Sequence, residues 1–432
     1  MAGALEGCAP HAVAPSAAAS PAVHQGSFDQ AGLRQLDEAM GAAVSSGEVP
    51  GLTYMLVRHG EVVAFNSFGQ ASPSRGIAQQ NDSIVRIFSM TKPITGVAMM
   101  TLYEEGKWQL DDPITKFLPE FDHLRVMTGV DSAGNAITEP ARRPPTMREL
   151  MSHTAGFGYG LIGQNPVDAM FRARAVNGSA SLEDVAHKVS DIPLLFQPGE
   201  GWSYSIAVDL QARIVEVITG ESFASYLQRR IFTPLRMNDT GFYVPPEKVG
   251  RLADLYGRDP ASGRTVPVPN SFAPNLDFTN PSRVQSGGGG LVSTASDYGR
   301  FCQMILNGGE LDGVRILRPE SIALMGTNVM SDSIRPDNGL VSAMGTTAFG
   351  FRPGVGFGLD FMVISDPQRA ELPVGRGTLS WGGAAGTWFW IDPENDLFFI
   401  GLIQRFGGSV GQTDLPGVSQ RLVYSALERP QP

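Results

Sequence analysis

The chain has 432 residues, 42% of them apolar and 18% charged, with 51 glycines and 31 prolines. That is length for two or three domains and apolar material for a sizeable core, and so many turn-forming residues exclude a coiled coil. The 33 basic and 43 acidic side chains leave a formal charge of −10 with no basic cluster, which argues against nucleic acid or an anionic membrane as partner, and no apolar run approaches the ~18 residues of a membrane span.

Residues 1–26 are rich in alanine, proline and serine and are expected to be disordered. The segment lacks a basic start and a continuous apolar stretch, so it makes a poor signal peptide. Leu5-Glu6-Gly7-Cys8 is likewise a poor lipoprotein cleavage box, and the expected location is cytoplasmic. Ser27 or Asp29 is placed to cap a helix that turns Leu33, Leu36, Met40 and Val44 inward and ends at Gly47 and Pro50-Gly51. Leu52 to Arg58 and Glu61 to Phe68 read as a hairpin turning at His59-Gly60. Next comes Ser89-Met90-Thr91-Lys92, leading into an apolar run of Ile94, Val97, Ala98, Met99 and Leu102 that Gly106 closes.

From 115 to 285 the pattern is short helices between Pro/Gly loops: Met147–His153, Leu182–Val189, Ile206–Thr219 with Gly220 as C-cap, and Phe223–Phe232. A new segment opens at Gly287. Ser296 is a candidate cap for a helix carrying Phe301, Cys302, Met304 and Ile305, and Cys302 reads as buried core. The late strand-like runs are Phe357–Ile364, Thr378–Trp381, Thr387–Asp392 and Leu397–Ile403, with a tight turn at Pro393-Glu394-Asn395-Asp396 and a final helix bearing Leu422, Val423 and Leu427. Strands at both ends and helices between them predict an α+β fold. One antiparallel sheet is built from both chain ends and flanked by helices, giving an α/β domain of 27–114 with 286–432 and a mainly helical insert of 115–285.

Within this frame the chemistry concentrates at Ser89 and Lys92. At i and i+3 on a helix they share one face, so an amine stands beside a hydroxyl at a helix N-terminus, where developing negative charge is favoured. Pro93 fits because a first-turn residue has no backbone bond to lose. Tyr204, between the Pro198-Gly199 loop and a helix start, is placed to face Ser89 across a cleft and to exchange protons with Lys92 or Ser89; a nearby cation would lower its pKa. Trp381-Gly382-Gly383 ends a strand, and the two glycines let backbone approach closely, so an amide there could join the Ser89 amide in an oxyanion hole. Taken singly, a packed tyrosine or a β-bulge would explain either feature.

Other patterns carry less. Gly287 to Gly290 has no following Gly-Lys-Ser/Thr and is read as a turn, not a phosphate loop. Gly407-Gly408-Ser409-Val410-Gly411 matches a nucleophile elbow, but His11, His24, His59, His123, His153 and His187 all precede it, whereas that architecture needs a histidine afterwards. The two cysteines, Cys8 and Cys302, make no disulfide framework, and no histidine pair has metal-ligand spacing; neither metal nor cofactor is expected. His153 reads as a structural residue at a helix end.

Five segments in order resemble the serine β-lactamase-like superfamily: Ser89-Met90-Thr91-Lys92, Leu150 to Gly156, Pro198-Gly199 with Tyr204-Ser205, Gly288 to Thr294, and Trp381-Gly382-Gly383. The nearest branch in this resemblance is the family VIII carboxylesterases, and it covers about residues 30–425. It implies Ser89 as the acylated nucleophile, Lys92 and Tyr204 as a shared base system, the amides of Ser89 and Ala384 as the oxyanion hole, and water activated by Tyr204 for deacylation. Two departures bear on substrate. Trp381 stands where β-lactamases carry a lysine, and Ile206 where they carry an asparagine. Both replace polar recognition with apolar surface, so Trp381, Gly382, Gly383 and Ile206 are expected to line a site for a small ester, with weak β-lactam hydrolysis at most. Transfer of the acyl group to a bulky alcohol, a β-lactamase or D-amino peptidase, and a non-catalytic β-lactam- or peptide-binding module are the alternatives. The oligomeric state is not legible.

Overall fold

The computed structural model describes residues 28–161, 165–259, 261–269, 276–330, 334, 351–406 and 413–428. The expectations for residues 1–26, for a Ser27 cap and for Ser409 in its glycine-rich setting fall outside the described residues.

Helix α1 (Gln30–Ser45) is capped by Asp29, whose carboxylate accepts from the amides of Ala31 and Gly32. Strands β1 (Gly51–Arg58) and β2 (Glu61–Ser72) form the expected hairpin, and β3 (Ile77–Ala78) follows. After helix α2 (Thr91–Glu104) come α3 (Met147–Met151), α4 (Pro166–Ala173), α5 (Leu182–Ser190), α6 (Ala207–Thr219) and α7 (Phe223–Leu227), then α8 (Ala295–Leu306) and α9 (Pro319–Met325). Strands β4 (Val355–Phe357), β5 (Met362–Ile364), β6 (Thr378–Gly382), β7 (Trp388–Asp392) and β8 (Leu397–Leu402) then lead to α10 (Leu415–Ala426).

The eight strands make one antiparallel sheet in the order β4-β5-β6-β7-β8-β1-β2-β3. Its central seam pairs Thr53 with Leu402 and Arg58 with Leu397, so the two chain ends meet in the middle of the sheet. Alternate residues face opposite sides. Tyr54, Leu56, Trp388, Trp390 and Phe399 pack beneath α1 and α10, while Met55, Val57, Phe389, Ile391 and Phe398 join the larger core with α2 and α8. Both faces are covered, which is why these strands read as unbroken apolar runs. Among the described residues no helix is long and apolar enough to cross a membrane.

Four expectations are corrected. The middle region is not helices alone: Arg125–Val130 pairs with Ala136–Pro140, and Tyr256–Arg258 with Thr265–Pro267. The first of these hairpins is largely solvent-exposed and turns at Asp131, whose carboxylate accepts from the amides of Ala133 and Asn135, so it shows no apolar stripe for a pattern search to find. Phe357–Ile364 is not one strand, because Gly358–Phe361 turns between β4 and β5, the Gly358 amide bonding the Phe361 carbonyl at 2.8 Å. Thr294, not Ser296, caps α8, its hydroxyl accepting from the Asp297 amide. Beyond Leu227, residues Gln228–Phe232 continue as a wider π turn instead of an α-helix.

Candidate active site

Ser89 lies in a 3-10 turn, Phe88–Met90, that runs directly into α2. Phe88 holds a left-handed φ of +42°, a strained conformation for a bulky residue. Its ring is fixed against Phe278 and Phe406, so packing holds the turn in place. Every residue of α2 from Thr91 to Leu102 is buried, which makes it a central core helix with Ser89 at its entrance.

Lys92 is fully buried. Its Nζ donates to the Gly288 carbonyl at 2.6 Å, to Tyr159 Oη at 3.3 Å and to Ser89 Oγ at 3.4 Å. It also lies 4.4 Å from the centre of the Tyr204 ring and 5.3 Å from that of Tyr159, within cation–π range of both. Tyr204 Oη donates to Ser89 Oγ at 2.6 Å. Ser89 and Lys92, three residues apart, and Tyr204, 115 residues beyond Ser89, are thus hydrogen-bonded around one hydroxyl.

Trp381 is the penultimate residue of β6, with its ring 5.4 Å from those of Tyr204 and Phe357. Gly382 pairs with Trp388, and the Gly383 amide closes the hairpin on the Thr387 carbonyl at 2.7 Å. A Cβ on Gly383 would lie 2.3 Å from the Ile87 carbonyl oxygen, so this strand end abuts the serine turn at a spacing that excludes a side chain. Ala384 is the exposed next residue of that turn. Ile206 is buried at the start of α6, its amide bonded to the Gly158 carbonyl at 3.1 Å.

Sequence reasoning missed Tyr159 and Asp209, and it named Gly288 only as part of a turn and of the resemblance. Tyr159 sits in the glycine-flanked loop after α3, and burial pushes its phenol well above the ordinary value, with the charges of Tyr204 and Asp209 adding to the effect. It therefore stays protonated and serves as an acceptor for Lys92. The fully buried Asp209 is also raised, by desolvation first, with opposing pulls from Ser286, Lys92 and the Gly288 amide. Gly288 is confined between them: a Cβ there would lie 2.6 Å from Asp209 Oδ2 and 3.0 Å from Tyr159 Oη. The glycine run and the Gly-Phe-Gly-Tyr-Gly stretch were the available signals, but each reads first as a turn.

His153 is buried at φ +60° just past α3, with Nδ1 2.9 Å from Ser205 Oγ and its ring against Trp202, Tyr204 and Phe357. Burial, then the Lys92 charge, holds its pKa well below the ordinary value, so it is a neutral imidazole that supports the Tyr204 segment. Cys302 is buried with its thiol pushed up by desolvation, an unreactive core residue. Among the described residues no group of three His, Cys, Asp or Glu side chains is placed to hold a metal ion.

The chain is similar to several proteins of known sequence or structure. Esterase EstB of Burkholderia gladioli is 31% identical over 384 residues, covering 84% of this chain and 88% of EstB. Lovastatin esterase of Penicillium rubens is 30% identical over 387 residues, covering 85% and 92%. The solved structure of EstCE1, described as a hydrolase with promiscuous acyltransferase activity, superimposes with a TM-score of 0.75 at 26% identity over 92% of this chain and 99% of that one. The Beta-lactamase family model matches residues 34–420, and with the fold and the serine–lysine–tyrosine cluster in place the chain belongs to the Beta-lactamase family, within the serine β-lactamase-like superfamily.

Proposed function

We propose that this protein is a carboxylesterase of the family VIII type, hydrolysing short-chain acyl esters through a Ser89 acyl-enzyme. The observation that carries this reading is the 2.6 Å bond between Tyr204 Oη and Ser89 Oγ, with Lys92 Nζ 3.4 Å from the same oxygen. In its reactive form the Tyr204–Lys92 pair lacks one proton, and Ser89 Oγ attacks the ester carbonyl as its own proton fills that place. The tetrahedral oxyanion is received by the amides of Ser89 and Ala384. Collapse breaks the bond to the alcohol, which leaves with the proton from the pair. Water, deprotonated by Tyr204, then attacks the acyl-enzyme and releases the acid and free Ser89.

The apolar wall supports an ester over a carboxylated lactam. Trp381 brings an indole, not an ammonium, to the edge of the site, and Ile206 brings no side-chain amide. Nitrocefin is expected to be opened slowly. Acyl transfer to an alcohol is the second reading, favoured by the description of EstCE1.

The test is p-nitrophenyl butyrate turnover by the wild type and by Ser89→Ala. The substitution is expected to lower kcat by ~10³-fold or more. Undiminished turnover in Ser89→Ala would remove Ser89 as the nucleophile, and product ratios with added alcohol separate hydrolysis from transfer.

A further inference from the structure

A second buried network lies behind Lys92, on the same face of α2. Asp360 occupies the β4–β5 turn in a left-handed conformation, φ +61°, and is wholly buried. Its amide donates to the Met151 carbonyl of α3 at 2.9 Å. Its carboxyl rests on Gly96, one turn after Lys92: a Cβ there would lie 2.9 Å from Asp360 Oδ2. From α6, Gln211 Nε2 donates to Asp360 Oδ1 at 3.1 Å and to the Leu150 carbonyl at 3.4 Å.

Those two bonds orient the amide, because a flipped Gln211 would turn its oxygen toward two acceptors. They leave Gln211 Oε1 and Asp360 Oδ2, both buried and neither with a hydrogen-bond partner among the described residues. Two bare acceptors on groups already joined by one bond are costly to bury. One proton on Oδ2 gives Asp360 a donor to match Oε1, the acceptor left over on the same amide from which Oδ1 already accepts. The geometry points to Asp360 as a neutral carboxylic acid, locked to Gln211 in a two-bond acid–amide pair that pins the β4–β5 turn and α6 against α2. Asp360 is a positioning residue: α6 follows directly on Tyr204, and α2 carries Lys92.

The electrostatic surroundings agree. Burial pushes the Asp360 carboxyl well above its ordinary value, and the Gln211 bond and the Lys92 charge oppose this without prevailing. Among the described residues Lys92 on α2 is the charged group that acts on Asp360, and it already gives its hydrogen bonds to Gly288, Tyr159 and Ser89.

Asp360→Asn and Asp360→Leu test the assignment. Asparagine reproduces the neutral acid, with one acceptor and one donor, but does not titrate. An acid whose folded pKa is raised binds more protons folded than unfolded, so its stability contribution falls as pH rises above the unfolded carboxyl range near ~4. The melting temperature of Asp360→Asn, minus that of the wild type, is therefore expected to increase by several degrees between about pH 5 and about pH 9. A flat or falling difference, or an Asn variant that does not fold, would overturn the neutral acid. For positioning, kcat on p-nitrophenyl butyrate is read at a temperature where all forms are folded. Asp360→Asn is expected within about threefold of wild type and Asp360→Leu about tenfold or more below it, with KM little changed; full kcat in the Leu variant would overturn the positioning role. The inference's kinetic arm rests on the esterase reading. An inert wild type would count against that reading alone, while the stability series would still decide Asp360.

Discussion

Lys92 is a buried cation, and the groups around it are hydrogen-bond acceptors and rings. Among the described residues no carboxylate forms an ion pair with it; the Gly288 carbonyl, two hydroxyls and two phenol faces take that place. Cation–π contact of this desolvated kind contributes about 2 kcal/mol or more, and the hydrogen bonds offset further burial cost. The two tyrosines then have different tasks. Tyr204 bonds the nucleophile, whereas the Tyr159 hydroxyl, among the described residues, bonds the lysine alone. Tyr159→Phe keeps the ring and loses one acceptor. It is expected to lower kcat by about tenfold with KM little changed, while Tyr204→Phe lowers kcat by ~10³-fold. Equal losses in steady-state kinetics of the two variants would show that the roles are shared. Tyr204 was legible because it stands at a loop-to-helix junction with a hydrophobic helix behind it. Tyr159 was not, because what makes it polar in function is the burial of an atom whose partner is sixty-seven positions away.

At the scale of elements, the site is assembled where three chain segments end: the turn into α2, the loop into α6 and the close of β6. The last contact is the tightest. A Cβ on Gly383 would lie 2.3 Å from both the Ile87 carbonyl and Thr387 Oγ1, while one on Gly382 would meet nothing nearer than the Thr387 carbonyl at 3.1 Å. Gly383→Ala must therefore push the β6–β7 turn away from the serine turn, a strain of about 1–3 kcal/mol. The expected result is a kcat lowered about tenfold or more and a melting temperature down by a few degrees, with Gly382→Ala affected less in both. If the two alanine variants match in kcat, strand-end placement does not govern the chemistry. The Trp-Gly-Gly pattern allowed for this close approach, although a β-bulge would have explained the two glycines as well. The exposed hairpin of Arg125–Val130 and Ala136–Pro140 left no such mark: its sides meet solvent, so its residues lack the alternation that burial imposes.

At the scale of the whole molecule, the sheet closes only when the ends of the chain meet. β1 and β8 form its seam, and α1 and α10 pack together across one face. The Asp29 amide bonds the Ala426 carbonyl at 2.8 Å, and Phe28 bridges to Leu427. This arrangement was legible because both ends carry strand-like apolar runs and the middle does not, although the register and the helix pairing depend on contacts that span the full chain. The pairing can be tested at Gly32, where an added Cβ would lie 2.4 Å from Ala426 Cβ and 3.0 Å from its Cα. Alanine in place of an interior helical glycine ordinarily stabilises by up to about 1 kcal/mol. Overpacking a close helix contact costs about 1–3 kcal/mol, so the clash is expected to win and Gly32→Ala to lower the melting temperature by a few degrees. Ala426→Gly removes the opposing methyl. The double variant Gly32→Ala with Ala426→Gly is expected to recover much of the loss, because the two positions are in contact and their effects cannot simply add. Ester turnover should stay near wild type in all three, since this face of the sheet lies opposite the core that holds α2 and Ser89. A stabilised Gly32→Ala, or strictly additive melting shifts in the double variant, would show that the two terminal helices do not pack in this register.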